Sequence, residues 1–175
     1  MTEPADDVLA ALLLPCRLEG FAREDHARDL LSVPRVVALE PSRVKPPGFL
    51  RDALSQRQAR RLRFPGRLRL LVLYHPDQYP LARALVGHYQ GLELWYIPPE
   101  RKDLQAADEA RTRELEAIDE MVRERATQVL VASEHYVDDA ALRERLRALG
   151  VINPHAFMPG TRRQWPRPPR LEPVD

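Results

Sequence analysis

The chain has one cysteine, Cys16, in 175 residues. That excludes an intramolecular disulfide and any multi-cysteine metal site. Glycine is scarce, with seven residues against seventeen prolines. Nucleotide-binding loops need glycines so that the backbone can approach phosphate, and neither G-x-G-x-x-G nor G-x-x-x-x-G-K-[ST] occurs. A standard nicotinamide or flavin site is therefore not expected, and a P-loop nucleotidase is excluded. G-x-S-x-G and H-E-x-x-H are also missing. His26 and His155 have no metal-ligand spacing, so neither metal nor cofactor is expected. The longest apolar run, Val8 to Pro15, is far shorter than the ~20 residues that span a bilayer. No membrane span is expected. The acidic start, with Glu3, Asp6 and Asp7, lacks the basic region of a signal peptide, which points to a cytoplasmic protein. Charge of one sign is lacking as well. Lys+Arg is 27 and Asp+Glu is 26, a net charge of +1. A strong global field for nucleic acid or anionic membrane is excluded, although a local patch is not.

What is present suits one globular domain. The chain is 44% hydrophobic and 30% charged, enough for a single sizeable core. Residues 1–160 read as that domain. Residues 161–175 hold Pro166, Pro168, Pro169 and Pro173 and read as an extended strap or linker, with Trp165 inside it. Only Lys45 and Lys102 among the bases are lysine.

Short apolar runs recur at Leu9–Leu14, Arg35–Leu39, Leu68–Tyr74, Leu92–Ile97 and Gln128–Ala132, with a weaker sixth at Pro154–Met158. Several are almost continuously apolar, as strands covered on both faces are. Helical segments lie between them: Ala22–Leu31, Phe49–Leu62, Pro80–Tyr89, residues 104–126, and a last one capped by Asp138 or Asp139 that runs through Leu149. In the fourth, Leu104, Ala107, Leu115, Ile118, Val122 and Ala126 form the apolar stripe. Glu109 with Arg113 and Asp119 with Arg123 make i,i+4 pairs on its solvent side. His88 falls on an apolar stripe and is expected to pack. Gly150 stands where a left-handed C-terminal cap is wanted.

Alternation of buried-type strands and helices predicts an α/β fold. Five or six strands are too few for an eight-fold barrel. The expectation is a single open, doubly wound, mostly parallel, Rossmann-like sheet of about six strands with helices on both faces. Ligands bind such sheets beyond the carboxyl ends of the strands. The rim is then Cys16–Phe21, Glu40–Arg43, His75–Tyr79, Pro98–Arg101, Ser133–Tyr136 and Pro159–Gly160.

Chemistry-bearing groups gather on this rim. Cys16 is either a nucleophile near a helix N-terminus or a small buried residue. Tyr74 to Pro80 is the richest loop. His75 offers a general base or a substrate hydrogen bond; alternatively, Asp77 and the two prolines build a turn and a helix entry. Ser133 and Glu134 either hold a ligand hydroxyl or cap a helix. The candidate catalytic pair is His75 and Glu134. Candidate substrate-binding residues are Arg17, Glu19, Gly20, Gln78, Tyr79, Arg101, Ser133 and Gly160. The basic stretch Arg51, Arg57, Arg60, Arg61, Arg63, Arg67 and Arg69 either binds phosphate or an acidic partner or forms a solvated face balanced by the acidic helix at 104–126. Phe64 alone interleaves it, so single-strand stacking is not expected and nucleic acid is not taken as a partner.

The stretch Glu114–Glu120, Ala126–Glu134, Leu142–Val151 and Pro159-Gly160 resembles the N-terminal domain of GT-B glycosyltransferases. Such chains run from an acidic helix into a strand ending in Ser, then a helix ending in Gly, then a Pro-Gly turn. Thr127 stands where that family often has Asp. Phe21–Leu31 with Val36–Pro41 resembles the family's first helix and second strand, and Leu94-Trp-Tyr96 its fourth strand. The likeness spans about residues 8–160. It implies a sugar- or glycan-acceptor domain that needs a nucleotide-sugar donor domain on another chain for hexosyl transfer, because transfer requires both substrates held together. Two other readings stand beside it: a non-catalytic Rossmann-like binding or interaction module, and a small α/β enzyme built on the His75–Tyr79 loop.

Overall fold

The computed structural model describes residues 8–41, 48–131 and 140–151. The expected sixth strand, the Pro-rich tail and the Asp138 or Asp139 cap lie outside them. The strands are β1 (Val8–Leu13), β2 (Val36–Leu39), β3 (Arg67–Leu73), β4 (Glu93–Tyr96) and β5 (Gln128–Val129). They form one sheet in the order β2-β1-β3-β4-β5, with every pairing parallel. The helices are α1 (Glu24–Leu31), α2 (Gly48–Arg61), α3 (Tyr79–His88), α4 (Glu109–Arg125) and α5 (Ala140–Ala148). The doubly wound α/β architecture read from the sequence is the one found.

Two cores sandwich the sheet. On one side Ala10, Leu12, Leu70, Val72, Trp95 and Ile97 meet Ala27 and Leu30 of α1 and Leu142 and Leu146 of α5. On the other, Leu9, Ala11, Leu13, Leu71, Leu73 and Tyr96 meet α2, α3 and α4 through Ala59, Leu85 and Val122. Strand side chains alternate between these faces, which is why the runs had to be apolar throughout. One register shift interrupts the alternation. Leu9 pairs with Leu68, but Ala10 pairs with Leu70, so Arg69 is the extra residue of a bulge. Leu68 consequently joins the opposite core from Leu70.

Helix α4 starts later than its periodicity predicts. Leu104 belongs to a separate 3₁₀ turn, Arg101–Leu104, and the Asp108 side chain accepts the Ala110 backbone N–H to start α4 at Glu109. Ala107 is exposed as a result, outside the stripe. Gly150 adopts φ +75°, and the Val151 N–H reaches the Leu146 carbonyl at 2.9 Å, the expected left-handed cap. His88 is exposed at the end of α3 rather than packed, its ring edge-on to Tyr89 at 4.9 Å.

Helix α5 is tied to β4 by charge. Arg145 Nε donates to Glu93 Oε2 at 3.0 Å, its Nη2 to Glu93 Oε1, and Trp95 Nε1 donates to Oε2 at 3.2 Å. The Arg145 bonds hold the Glu93 carboxyl below the ordinary carboxylate range, against the opposing effect of burial. A carboxyl depressed in the folded chain stabilises it above the unfolded value of about 4.3, and that stabilisation is lost as pH falls through the folded value. Glu93→Gln should therefore cost about 1 kcal/mol at neutral pH, a modest figure because Arg145 is partly exposed. It should also flatten the acid limb of stability below about pH 4.3. Urea titrations of both proteins at pH 7 and pH 3 check this; parallel acid limbs would refute it.

Candidate functional site

The strand order places a topological switch point between β1 and β3, where the chain winds outward in opposite directions and leaves a crevice. A cleft of about 470 Å³ opens there, bounded by the loops after β1, β3 and β4. Its lining includes Cys16, Arg23, Tyr74, His75, Glu100 and Asp103.

Each loop is set by local chemistry. After β1, Leu14 stays in the core and Pro15 ends the strand; a 3₁₀ turn over Leu18–Gly20 then brings Phe21 inward. The Phe21 ring meets Tyr74 edge-on at 5.1 Å, and this buried pair backs the cleft. Arg23 precedes α1 and donates through Nη2 to the Pro98 carbonyl at 3.3 Å, joining the first loop to the loop after β4. Burial pulls its guanidinium down from its ordinary value, and Asp103 and Glu100 counter that pull. Pro98 and Pro99 hold the third loop extended. The Asp103 carboxylate then accepts the Glu100 backbone N–H at 3.3 Å, and Lys102 Nζ lies 3.2 Å from Glu100 Oε2.

His75 is a capping residue as well as a cleft residue. Its Nδ1 accepts the Asp77 backbone N–H at 3.1 Å, and Nε2 lies 3.4 Å from the Asp103 carbonyl. An accepting Nδ1 places the proton of the neutral ring on Nε2, which donates to that carbonyl. A general base would need the lone pair that the cap already uses. Asp77 is engaged too, with Arg111 of α4 and with Arg51 of α2 at 3.5 Å. Cys16 is half-buried, and burial, followed by Glu40, pushes its thiol up from its ordinary value. A thiol shifted that way is less nucleophilic at neutral pH.

Of the residues marked in the sequence, Cys16, Gly20 and His75 line the cleft. Arg17 and Glu19 are exposed in the first loop, and Arg101 is exposed in the third. Gln78 and Tyr79 are buried at the start of α3, and Tyr79 belongs to the core under α2 and α3. Ser133, Glu134 and Gly160 lie outside the described residues. Sequence reasoning placed Tyr74 in the richest loop and Glu100 on the rim without giving either a role, and it passed over Arg23 and Asp103. Tyr74 and Glu100 stand close to a strand's carboxyl end, whereas Arg23 and Asp103 lie farther along the loops, just before α1 and within the 3₁₀ turn after β4. Among the described residues no group of three His, Cys, Asp or Glu could hold a metal ion, and no helix is long and apolar enough to cross a membrane.

No protein-family model matches the chain, and no curated protein or solved structure is significantly similar to it.

Proposed function

We propose that the chain is a binding domain for a neutral, hydroxyl-rich ligand, a sugar or glycan, held in the cleft between β1 and β3. The observation that carries this reading is the balance of charge there. Arg23 and Lys102 balance Glu100 and Asp103 around one small opening. The first turn of α1, where a phosphate would otherwise find free N–H groups, holds Glu24 and Asp25. A phosphate would meet carboxylates, whereas hydroxyls can donate to Glu100 and Asp103 and accept from Arg23. The resemblance to the acceptor-side domain of GT-B glycosyltransferases supports the same ligand class. On that reading, hexosyl transfer needs a nucleotide-sugar donor domain on another chain, and this chain supplies the acceptor.

Saturation-transfer NMR of the full chain with neutral mono- and disaccharides, and separately with nucleotide sugars, tests the proposal. Saccharides should show transfer, and Glu100→Gln should weaken their binding about tenfold, the worth of one hydrogen bond to a charged group. Glu19→Gln, at an exposed position in the same region, should leave affinity unchanged. Binding of nucleotides without saccharides, or of neither, would reject the reading.

A further inference from the structure

Helix α2 is packed inside out. It buries Ser55 and Ala59 against the sheet, yet Phe49 is 83% exposed and Leu50 and Leu54 are 42% exposed. An amphipathic helix stabilised by its own domain would show the reverse. The outward face continues into Arg57, Arg60 and Arg61, all exposed, and Arg67 opens β3 beyond them. The acidic helix α4 does not neutralise this group. Its Glu114 pairs with Arg111 of α4 and, of the α2 arginines, reaches only Arg51, at 3.8 Å. Among the described residues Arg57, Arg60, Arg61 and Arg67 have no ion pair. Asp52, the only carboxylate of α2, is taken by Arg83 at 2.7 Å, and α3, packed beside α2, has none. Val86 of α3 adds a further exposed apolar side chain, at 38%.

We propose that the outer face of α2 docks on an anionic lipid surface. Arginines of this density match lipid phosphates and carboxylates, to which guanidinium binds in a fixed fork. Phe49, Leu50 and Leu54 project from a convex helix. A deformable acyl boundary can envelop such side chains without a complementary groove. Nucleic acid would satisfy the arginines but leave the two leucines in water, and Phe49 is the helix's one aromatic. The net charge of +1 confines the attraction to this face and so orients the molecule.

The test is co-flotation of the full chain with vesicles of phosphatidylcholine alone and with about 30% phosphatidylserine, at low and high salt. The chain should float with the anionic vesicles at low salt, release at high salt, and stay off the neutral ones. The triple variant R57Q/R60Q/R61Q should lower partitioning about a hundredfold, at roughly fivefold per arginine. Phe49→Ser with Leu54→Ser should lower it at least about tenfold. These side chains are exposed, so circular dichroism should show an unchanged fold. Equal binding to both vesicles, no binding to either, or undiminished binding by the triple variant would overturn the proposal. Retention on a duplex oligonucleotide without vesicle binding would replace it with a nucleic-acid surface.

Discussion

Leu12→Ala should destabilise the protein by about 3–4 kcal/mol, a large share of the 5–15 kcal/mol typical of a domain. Leu12 is 1% exposed at the centre of the sheet, paired with Ala38 on one side and Val72 on the other. Its strand carries alanine on both faces, Ala10 and Ala11, so Leu9, Leu12 and Leu13 must supply most of the volume β1 contributes. Leu12 points under α1 and α5 beside Leu30 and Leu142. Rigid neighbours there limit collapse into the space left, so a cavity adds to the lost transfer energy. Urea unfolding should show a lower midpoint with an unchanged slope, and the melting temperature should fall by about 10 °C. Leu54→Ala, on the exposed face of α2, should change stability by less than about 0.5 kcal/mol. Equal losses in the two variants would contradict the burial that defines the fold.

That contrast shows what the sequence made legible. β1, β3 and β4 announced themselves because burial on both faces leaves little room for polar residues, whereas β2, at the sheet edge, is apolar though only partly buried. Helix faces were harder. Leu50, Ala53 and Leu54 have helical spacing that suggests a core stripe, yet α2 leaves all three exposed and packs through Ser55 and Ala59. Periodicity locates an apolar stripe but does not say what covers it. The bulge at Arg69 left no mark, since both alternations place leucine in a core. The candidate site was half legible. Strand ends located the rim, and His75 and Gly20 are on it. The order of the strands decides which loops converge, and order is a long-range property that local pattern does not carry. Only with β1 beside β3 do Arg23, Glu100 and Asp103 come together.

Asp119 is the sharpest instance of a residue whose role changed with the fold, and its replacement should be costly. Sequence pairing with Arg123 placed it on the solvent side of α4. The pair exists at 2.7 Å, but Asp119 is only 7% exposed. It falls four residues after Leu115 and three before Val122, so it shares their inward face. There it accepts the Tyr96 hydroxyl at 2.5 Å, and Arg123 lies 6.0 Å from the centre of the same ring. Asp119→Leu should cost about 3 kcal/mol, because the buried phenol of Tyr96 loses its acceptor and Arg123 its anion. Tyr96→Phe should cost about 1–2 kcal/mol, one buried hydrogen bond to a charged group. The double variant should lose at least about 1 kcal/mol less than the sum, since neither partner is then stranded. Strict additivity would mean that the two groups do not support each other. Alkaline pH supplies an independent readout. Burial, reinforced by the Asp119 hydrogen bond, pushes the Tyr96 phenol well above its ordinary value of about 10. The unfolded chain therefore ionises this phenol first, and stability falls as pH rises past about 10. Tyr96→Phe removes that contribution, so its stability should decline less steeply from pH 9 to pH 11 than that of the wild type, the opposite of its loss at neutral pH.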